Sequence, residues 1–156
     1  MMRKRLWMAM TGCGLLALPA LPALAALGDN VASVSNDRLQ LHAQLRGVTS
    51  SIGFTVHEIE VPPGILVREY VSQSGTVFAV SWAGPSKPDL RQLFGSYFSQ
   101  YVSASKSVRH GAATRRHYAV KQPDLIVQSN GRMRAFNGRA YVPSLIPPGV
   151  ALDDIR

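Results

Sequence analysis

His57 and Glu69 come closest in this chain to an acid–base pair, because they fall opposite each other once two neighbouring strand-like runs are aligned. A carboxylate beside an imidazole can orient the ring and shift its titration, as a general base requires. The sequence puts no nucleophile beside them, so a hydrogen-bonded structural pair at a sheet margin is the competing reading. The histidines are His42, His57, His110 and His117. None has the i, i+4 or short-gap spacing to a carboxylate that chelates zinc or copper. Gly-x-Ser-x-Gly does not occur, and Gly111, Gly131 and Gly138 stand singly, so no glycine loop cradles a phosphate. We therefore assign no metal site, no cofactor and no catalytic residue.

The second candidate chemistry is cationic. The whole chain carries 17 Lys and Arg against 9 Asp and Glu, a net charge of +8. Eight of those cations sit between Lys106 and Arg139, against Asp124 alone. Such asymmetry can mark a face that meets a polyanion. Read as hairpins, this stretch places Arg132, Arg134, Phe136, Arg139 and Tyr141 on one side, with Ile126, Met133, Ala135, Ala140 and Val142 on the other. Guanidinium groups interleaved with rings grip polyanions or sugars, which makes Arg132, Arg134, Arg139 and Tyr141 the candidate binding residues. The plainer alternative is a solvated sheet face whose Arg side chains cover the rings.

These residues need a scaffold, and the clearest part of it is a β-meander. Thr55 to Val61, Ile65 to Val71 and Thr76 to Trp82 are rich in Val, Ile and aromatics. Pro62-Pro63-Gly64 and Ser72-Gln73-Ser74-Gly75 separate them as turns. The turn lengths set a register: Val61 opposite Ile65, Ile59 opposite Val67, Glu58 opposite Arg68 and His57 opposite Glu69. On the next turn Val71 falls opposite Phe78, and Val67 opposite Trp82. One face is then apolar, with Ile59, Val61, Ile65, Val67, Val71, Phe78, Val80 and Trp82, while Glu58, Glu60 and Arg68 look the other way.

Leu90, Leu93, Phe94, Tyr97, Phe98 and Tyr101 follow the spacing of an amphipathic helix, with Pro88 near its start and Asp89 in its first turn. Two one-sided elements cover each other, so this helix should lie on the apolar face of the meander. Val102 to Thr114 reads as a loop. Strand character resumes at His117 to Val120, and Asn130-Gly131 and Asn137-Gly138 read as two-residue turns joining Asp124 to Ser129, Arg132 to Phe136 and Arg139 to Val142. Earlier in the chain, Gly28 to Ser35 reads as a polar lead-in, and segment 37–46 alternates like a strand with the composition of a helix; we read it as strand. The expected fold class is α+β: an antiparallel β-meander packed by one amphipathic helix, followed by C-terminal β-hairpins.

The front of the chain has the form of a secretory signal peptide. Arg3, Lys4 and Arg5 precede an apolar run from Leu6 to Leu18, and Ala23-Leu24-Ala25 supplies the small residues of a cleavage site. Residues 1–25 are thus expected to be removed, leaving 26–156 as a single small globular domain in the periplasm or secreted, with no stable membrane span. An alternative is a lipoprotein acylated at Cys13, the chain's one cysteine. With the cut after Ala25 that cysteine leaves with the leader, and neither disulfide nor thiol chemistry stays behind.

The segments Tyr70-Val71-Ser72 with Gly75, Val77-Phe78-Ala79-Val80, Pro88-Asp89-Leu90-Arg91-Gln92-Leu93, and Met133-Arg134-Ala135-Phe136 through Gly138-Arg139-Ala140 to Pro143 resemble a family of short exported bacterial proteins. It is the domain-of-unknown-function family numbered twenty-eight forty-four. The resemblance implies a Gram-negative bacterial source, an envelope location and no assigned activity. Together the residues favour a non-enzymatic envelope accessory or binding module over an enzyme. Its partner would be an envelope protein or an anionic polymer rather than nucleic acid. Two rival readings stand beside it: a small hydrolase or transferase using His57 and Glu69, and a peripheral binder of anionic envelope polymers through segment 106–139.

Overall fold

The structure, a computed structural model, describes residues 27–108 and 117–156. The expected leader with its cleavage point and Cys13, together with Arg109, His110, Arg115 and Arg116, lies outside them. Seven strands form one antiparallel sheet: β1 (Gln44–Ser51), β2 (Phe54–Val61), β3 (Ile65–Ser72), β4 (Val77–Gly84), β5 (His117–Gln122), β6 (Leu125–Arg132) and β7 (Ala135–Tyr141). Their order in space is β1-β2-β3-β4-β7-β6-β5, two meanders joined along β4 and β7. The fold is α+β, as expected.

The Pro-Pro-Gly turn sets the β2–β3 register as read from the sequence, with His57 opposite Glu69, Glu58 opposite Arg68 and Val61 opposite Ile65. Gly64, at φ +96, takes the left-handed backbone that this tight reversal needs. Val67 pairs with Trp82, also as expected. Val71 does not pair with Phe78; its partner is Val77, and the ladder shifts between Tyr70 and Val71. This bulge inserts Phe78 as an extra residue and moves its ring to the opposite face, because an unpaired bulge residue breaks the alternation.

Helices cover one face. Here α1 (Ala32–Gln40) is followed much later by α2 (Leu90–Phe94), a 3₁₀ turn at Gly95–Tyr97 and α3 (Phe98–Val108). The expected amphipathic helix is thus present with a tight turn inside it. It also runs on through residues read as a loop, because Ala104 still packs on the core. Asp89 caps it, accepting from Arg91 N at 2.9 Å and Gln92 N at 3.4 Å. Asp89→Ala should lower stability by about 1 kcal/mol in urea unfolding, the usual effect of losing such a cap; an unchanged midpoint would show that the helix start is held by packing alone. Beneath the helices lie Ile59, Val61, Ile65, Val67, Val80, Trp82, Leu93, Phe94, Leu125 and Val127, all buried.

Two further expectations are corrected. Segment 37–46 is not a strand: α1 occupies its first part and β1 begins only at Gln44. The inward side of α1 is Ser33, Val34 and Asp37, at i, i+1 and i+4, while Leu39 is 73 % exposed. Of the alternating residues, Leu41 and Ala43 pack partly against the core after the helix ends, while Leu39 and Leu45 are exposed. Asn130-Gly131 and Asn137-Gly138 are not turns either, since Asn130 pairs with Asn137 inside the β6–β7 ladder. The reversal falls at Met133-Arg134, with Arg134 at φ +58. Three expected strands become two, because these glycines make room for rings rather than supplying positive φ. An added Cβ on Gly131 would stand 2.8 Å from the Phe136 ring, and one on Gly138 would run into Trp82.

Candidate functional site

The face of the sheet away from the helices carries its own apolar cluster of Phe54, Tyr70, Phe78, Ala79, Tyr141 and Ile155. Phe54 and Phe78 meet edge-on with ring centres 5.9 Å apart. Ile155 reaches this cluster because the chain after β7 turns back through two 3₁₀ turns, Pro143–Leu145 and Leu152–Asp154, and crosses the face as a strap. Polar side chains of the sheet hold it by its backbone. The Arg156 main-chain oxygen accepts from Tyr70 Oη at 2.7 Å, Arg68 Nη1 at 3.0 Å and Ser81 Oγ at 3.2 Å. Arg156 N donates back to Tyr70 Oη at 2.9 Å. Arg139 Nη1 donates to the Leu152 and Ile155 carbonyls at 2.7 and 3.0 Å, and its Nε to Gln128 Oε1 at 2.8 Å.

The strap divides the face into two open grooves. One, of about 520 Å³, lies towards β1 and is bordered by Arg46, Arg68 and Arg156 with Glu58 and Asp154. The other, of about 410 Å³, lies towards β6 and is bordered by Arg68, Arg139 and Arg156 with Ser81, Gln128, Asn130 and Asn137, and by no Asp or Glu side chain. Around the first, Glu58 accepts from Arg68 Nε at 2.8 Å and Glu60 is bound by Arg46. Among the described residues, the β6-side groove is thus a place where guanidinium groups and neutral amides line a cavity with no Asp or Glu side chain in its lining, although Arg68 is paired with Glu58 outside it. That is a setting for an anionic or polyhydroxylated ligand.

Of the candidate binding residues, Arg139 borders this groove. Arg132 is exposed at the far end of β6, on the same side as Gln128 and Asn130 by strand alternation. Arg134 lies in the hairpin turn. The Tyr141 ring is 5 % exposed, inside the cluster beneath the strap. The expected interleaving of rings with guanidinium groups on one side does not form. Moving the turn to Met133-Arg134 shifts Phe136 to the helix side, where it covers Gly131 and receives Lys87 Nζ 6.0 Å above its ring. Arg68, by contrast, joins Arg139 on this face although the two come from different meanders. Its place on the polar side of β3 was the signal for it; the strap that joins the two halves of the face left none.

His57 and Glu69 are opposite one another on the helix-covered face, but Glu69 meets a different group. Glu69 and Asp37 are each 1 % exposed, and α1 brings the Asp37 carboxyl against Glu69. Gln92 Nε2 of α2 donates to Asp37 Oδ1 at 2.5 Å. Among the described residues no N–H or hydroxyl reaches either Glu69 oxygen, so a Glu69 carboxyl that keeps its proton has the Asp37 carboxylate as its acceptor. Burial, then the neighbouring Asp37, pushes Glu69 well above the usual carboxylate range. Burial also pushes Asp37 up to about 7, opposed by its hydrogen bonds from Gln92 and Glu69 and aided by Asp29. Half-buried His57 is pushed down by desolvation and is neutral at pH 7. The arrangement is a buried carboxyl pair sealed under α1, which withholds Glu69 from a substrate.

Among the described residues no group of three or more His, Cys, Asp or Glu could hold a metal ion, and no helix is long and apolar enough to cross a membrane. A family model described as "Protein of unknown function (DUF2844)" matches residues 23–155. No curated protein and no solved structure matches the chain.

Proposed function

The chain belongs to this family of proteins of unknown function, DUF2844, and from that premise we propose that it is an exported, non-enzymatic accessory module of the bacterial envelope that binds an anionic polymer on its strapped face. The observation that carries this reading is the β6-side groove, where Arg68, Arg139 and Arg156 meet amide side chains with no Asp or Glu side chain in the lining. Arg132 and Lys121 extend the positive surface along β6 and β5, while Asp154 is engaged by Ala151 N at 3.1 Å. Guanidinium groups suit carboxylate, sulfate or phosphate on a polymer, because their planar forks pair with such anions bidentately. A surface of this kind acts by avidity over several contacts, since a lone exposed cation is screened within about 8 Å at physiological salt.

Heparin chromatography at pH 7 tests the reading. The wild type should be retained, and Arg132→Ala with Arg139→Ala should elute at clearly lower salt. The slope of log affinity against log salt should flatten by about one unit for each cation removed. Lys87→Ala, on the helix side, should elute with the wild type. Equal elution of all three proteins, with the double variant still folded by circular dichroism, would overturn the assignment of this face.

A further inference from the structure

We infer that α1 is a pH-released clasp: a proton held between the buried carboxyls of Asp37 and Glu69 fastens it to the sheet, and loss of that proton to solvent lets α1 come away. The inference goes beyond the anionic-polymer reading and does not depend on it. It begins with what α1 has to hold it down. A nine-residue helix is not stable alone in water, so α1 stays helical through its tertiary contacts. Among the described residues its inward side offers one buried aliphatic side chain, Val34; the others are Ser33, whose Oγ has no hydrogen-bond partner among them, and Asp37. The Asp37 contact is therefore the specific one. It joins three elements that are distant in sequence, α1 through Asp37, β3 through Glu69 and α2 through Gln92.

The chemistry of the pair makes this contact conditional. Gln92 supplies one N–H to Asp37, and among the described residues no N–H reaches Glu69. Two carboxyls so placed hold together while they share a proton, and two carboxylates repel in a site this dry. The surrounding charges do not change the sign. Asp29, in the lead-in before α1, adds negative potential on Asp37. Burial lowers the proton affinity of His57, next to Glu69 on β2, which disfavours a cation there. On β4 the residue opposite Glu69 is Val80. Arg38 follows Asp37 along α1 but is turned about 100° round the helix axis.

The linkage has a definite direction. Both carboxyls bind a proton more tightly with α1 in place than with α1 released, where each returns to the ordinary range near pH 4. The contribution is fully present below that range and is lost as pH rises through about 7 for Asp37, with Glu69 shifted in the same direction. Each proton taken up on closure makes release tenfold easier per pH unit. α1 is thus tightest in mild acid and loosens towards alkaline pH, opposite to the acid sensitivity of ordinary carboxylate contacts.

Hydrogen exchange of the full chain, read by mass spectrometry at pH 5 to 8 and corrected for intrinsic exchange rates, tests the clasp. Protection of amides 33–41 should fall at least tenfold per pH unit between pH 5 and 7. In Asp37→Asn with Glu69→Gln, which keeps the shapes and removes both titrations, it should be flat. Carboxyl-carbon NMR of the wild type gives a reading independent of any variant: two carboxyls should titrate well above the ordinary carboxylate range, one of them near pH 7. Flat protection in the wild type, an unchanged slope in the double variant, or titration of every carboxyl below pH 5 would each overturn the inference.

Discussion

Trp82→Ala should lower the unfolding free energy by about 3 to 5 kcal/mol, the range found for large aromatics removed from a close-packed core. Trp82 is 2 % exposed and lies between the sheet and the helices, its ring centre 6.0 Å from that of Phe94. Phe94 continues the chain of rings to Tyr101 at 5.1 Å, and Tyr101 to Tyr118 at 6.1 Å. Removing the indole therefore opens a void where β4 meets the helices and takes the first ring from a row that reaches β5. Urea unfolding with an unchanged m-value is the measurement. A midpoint equal to that of the wild type would mean that the helices close over the gap at no cost.

Gly138→Ala should also destabilise, by about 1 to 3 kcal/mol, although it adds only a methyl group to a strand. A Cβ at residue 138 would stand 2.6 Å from Trp82 Cε2 and 2.8 Å from the Gln128 carbonyl oxygen, closer than carbon and oxygen atoms pack. Because the indole lies directly over the glycine, the two positions should be coupled. In the double variant with Trp82→Phe the smaller ring leaves room for the methyl group, so the two costs should not add, and the coupling should exceed about 0.5 kcal/mol. Trp82→Phe gives up an indole N–H that has no hydrogen-bond partner among the described residues, which keeps that half of the cycle mild. Strictly additive effects would show that the strand, rather than the ring, resists the methyl group.

The meander was legible because its determinants are local. Pro62-Pro63-Gly64 sets the loop length, and alternation does the rest, placing Glu58 against Arg68 on one side and Ile59 against Val67 on the other. The aromatic stripe from Leu90 to Tyr101 was legible for the same reason. What escaped depends on contacts between distant residues. The helicity of α1 rests on Asp37 meeting Glu69 and Gln92, and no pattern of apolar residues within Ala32–Gln40 announces it. Asn-Gly is a strong turn signal, but Gly131 and Gly138 are needed where rings from elsewhere lie on the backbone, and tertiary packing overrides the local preference. For the candidate site, Arg139 was legible as one cation in a basic stretch. Its neighbour Arg68 was placed on the polar side of its strand, but the groove they share exists only once β4 and β7 pair and Ile155 seats the strap between them.

The order of strands also sets how the molecule can assemble. Strands β1 to β4 are linked by short reversals, as are β5 to β7, so each meander can zip from its own turns at little loop-closure cost. The pairing of β4 with β7, from Gly84 with Phe136 to Ala79 with Tyr141, must close around the whole segment containing α2, α3, β5 and β6. Contacts of such long sequence separation slow folding, because the entropy of closure is lost before they form. The seam is also where Trp82 meets Gly138 and where Arg68 and Arg139 come onto one surface. The rate of forming the β4–β7 seam therefore governs when the core is sealed, and the strapped face cannot exist before it.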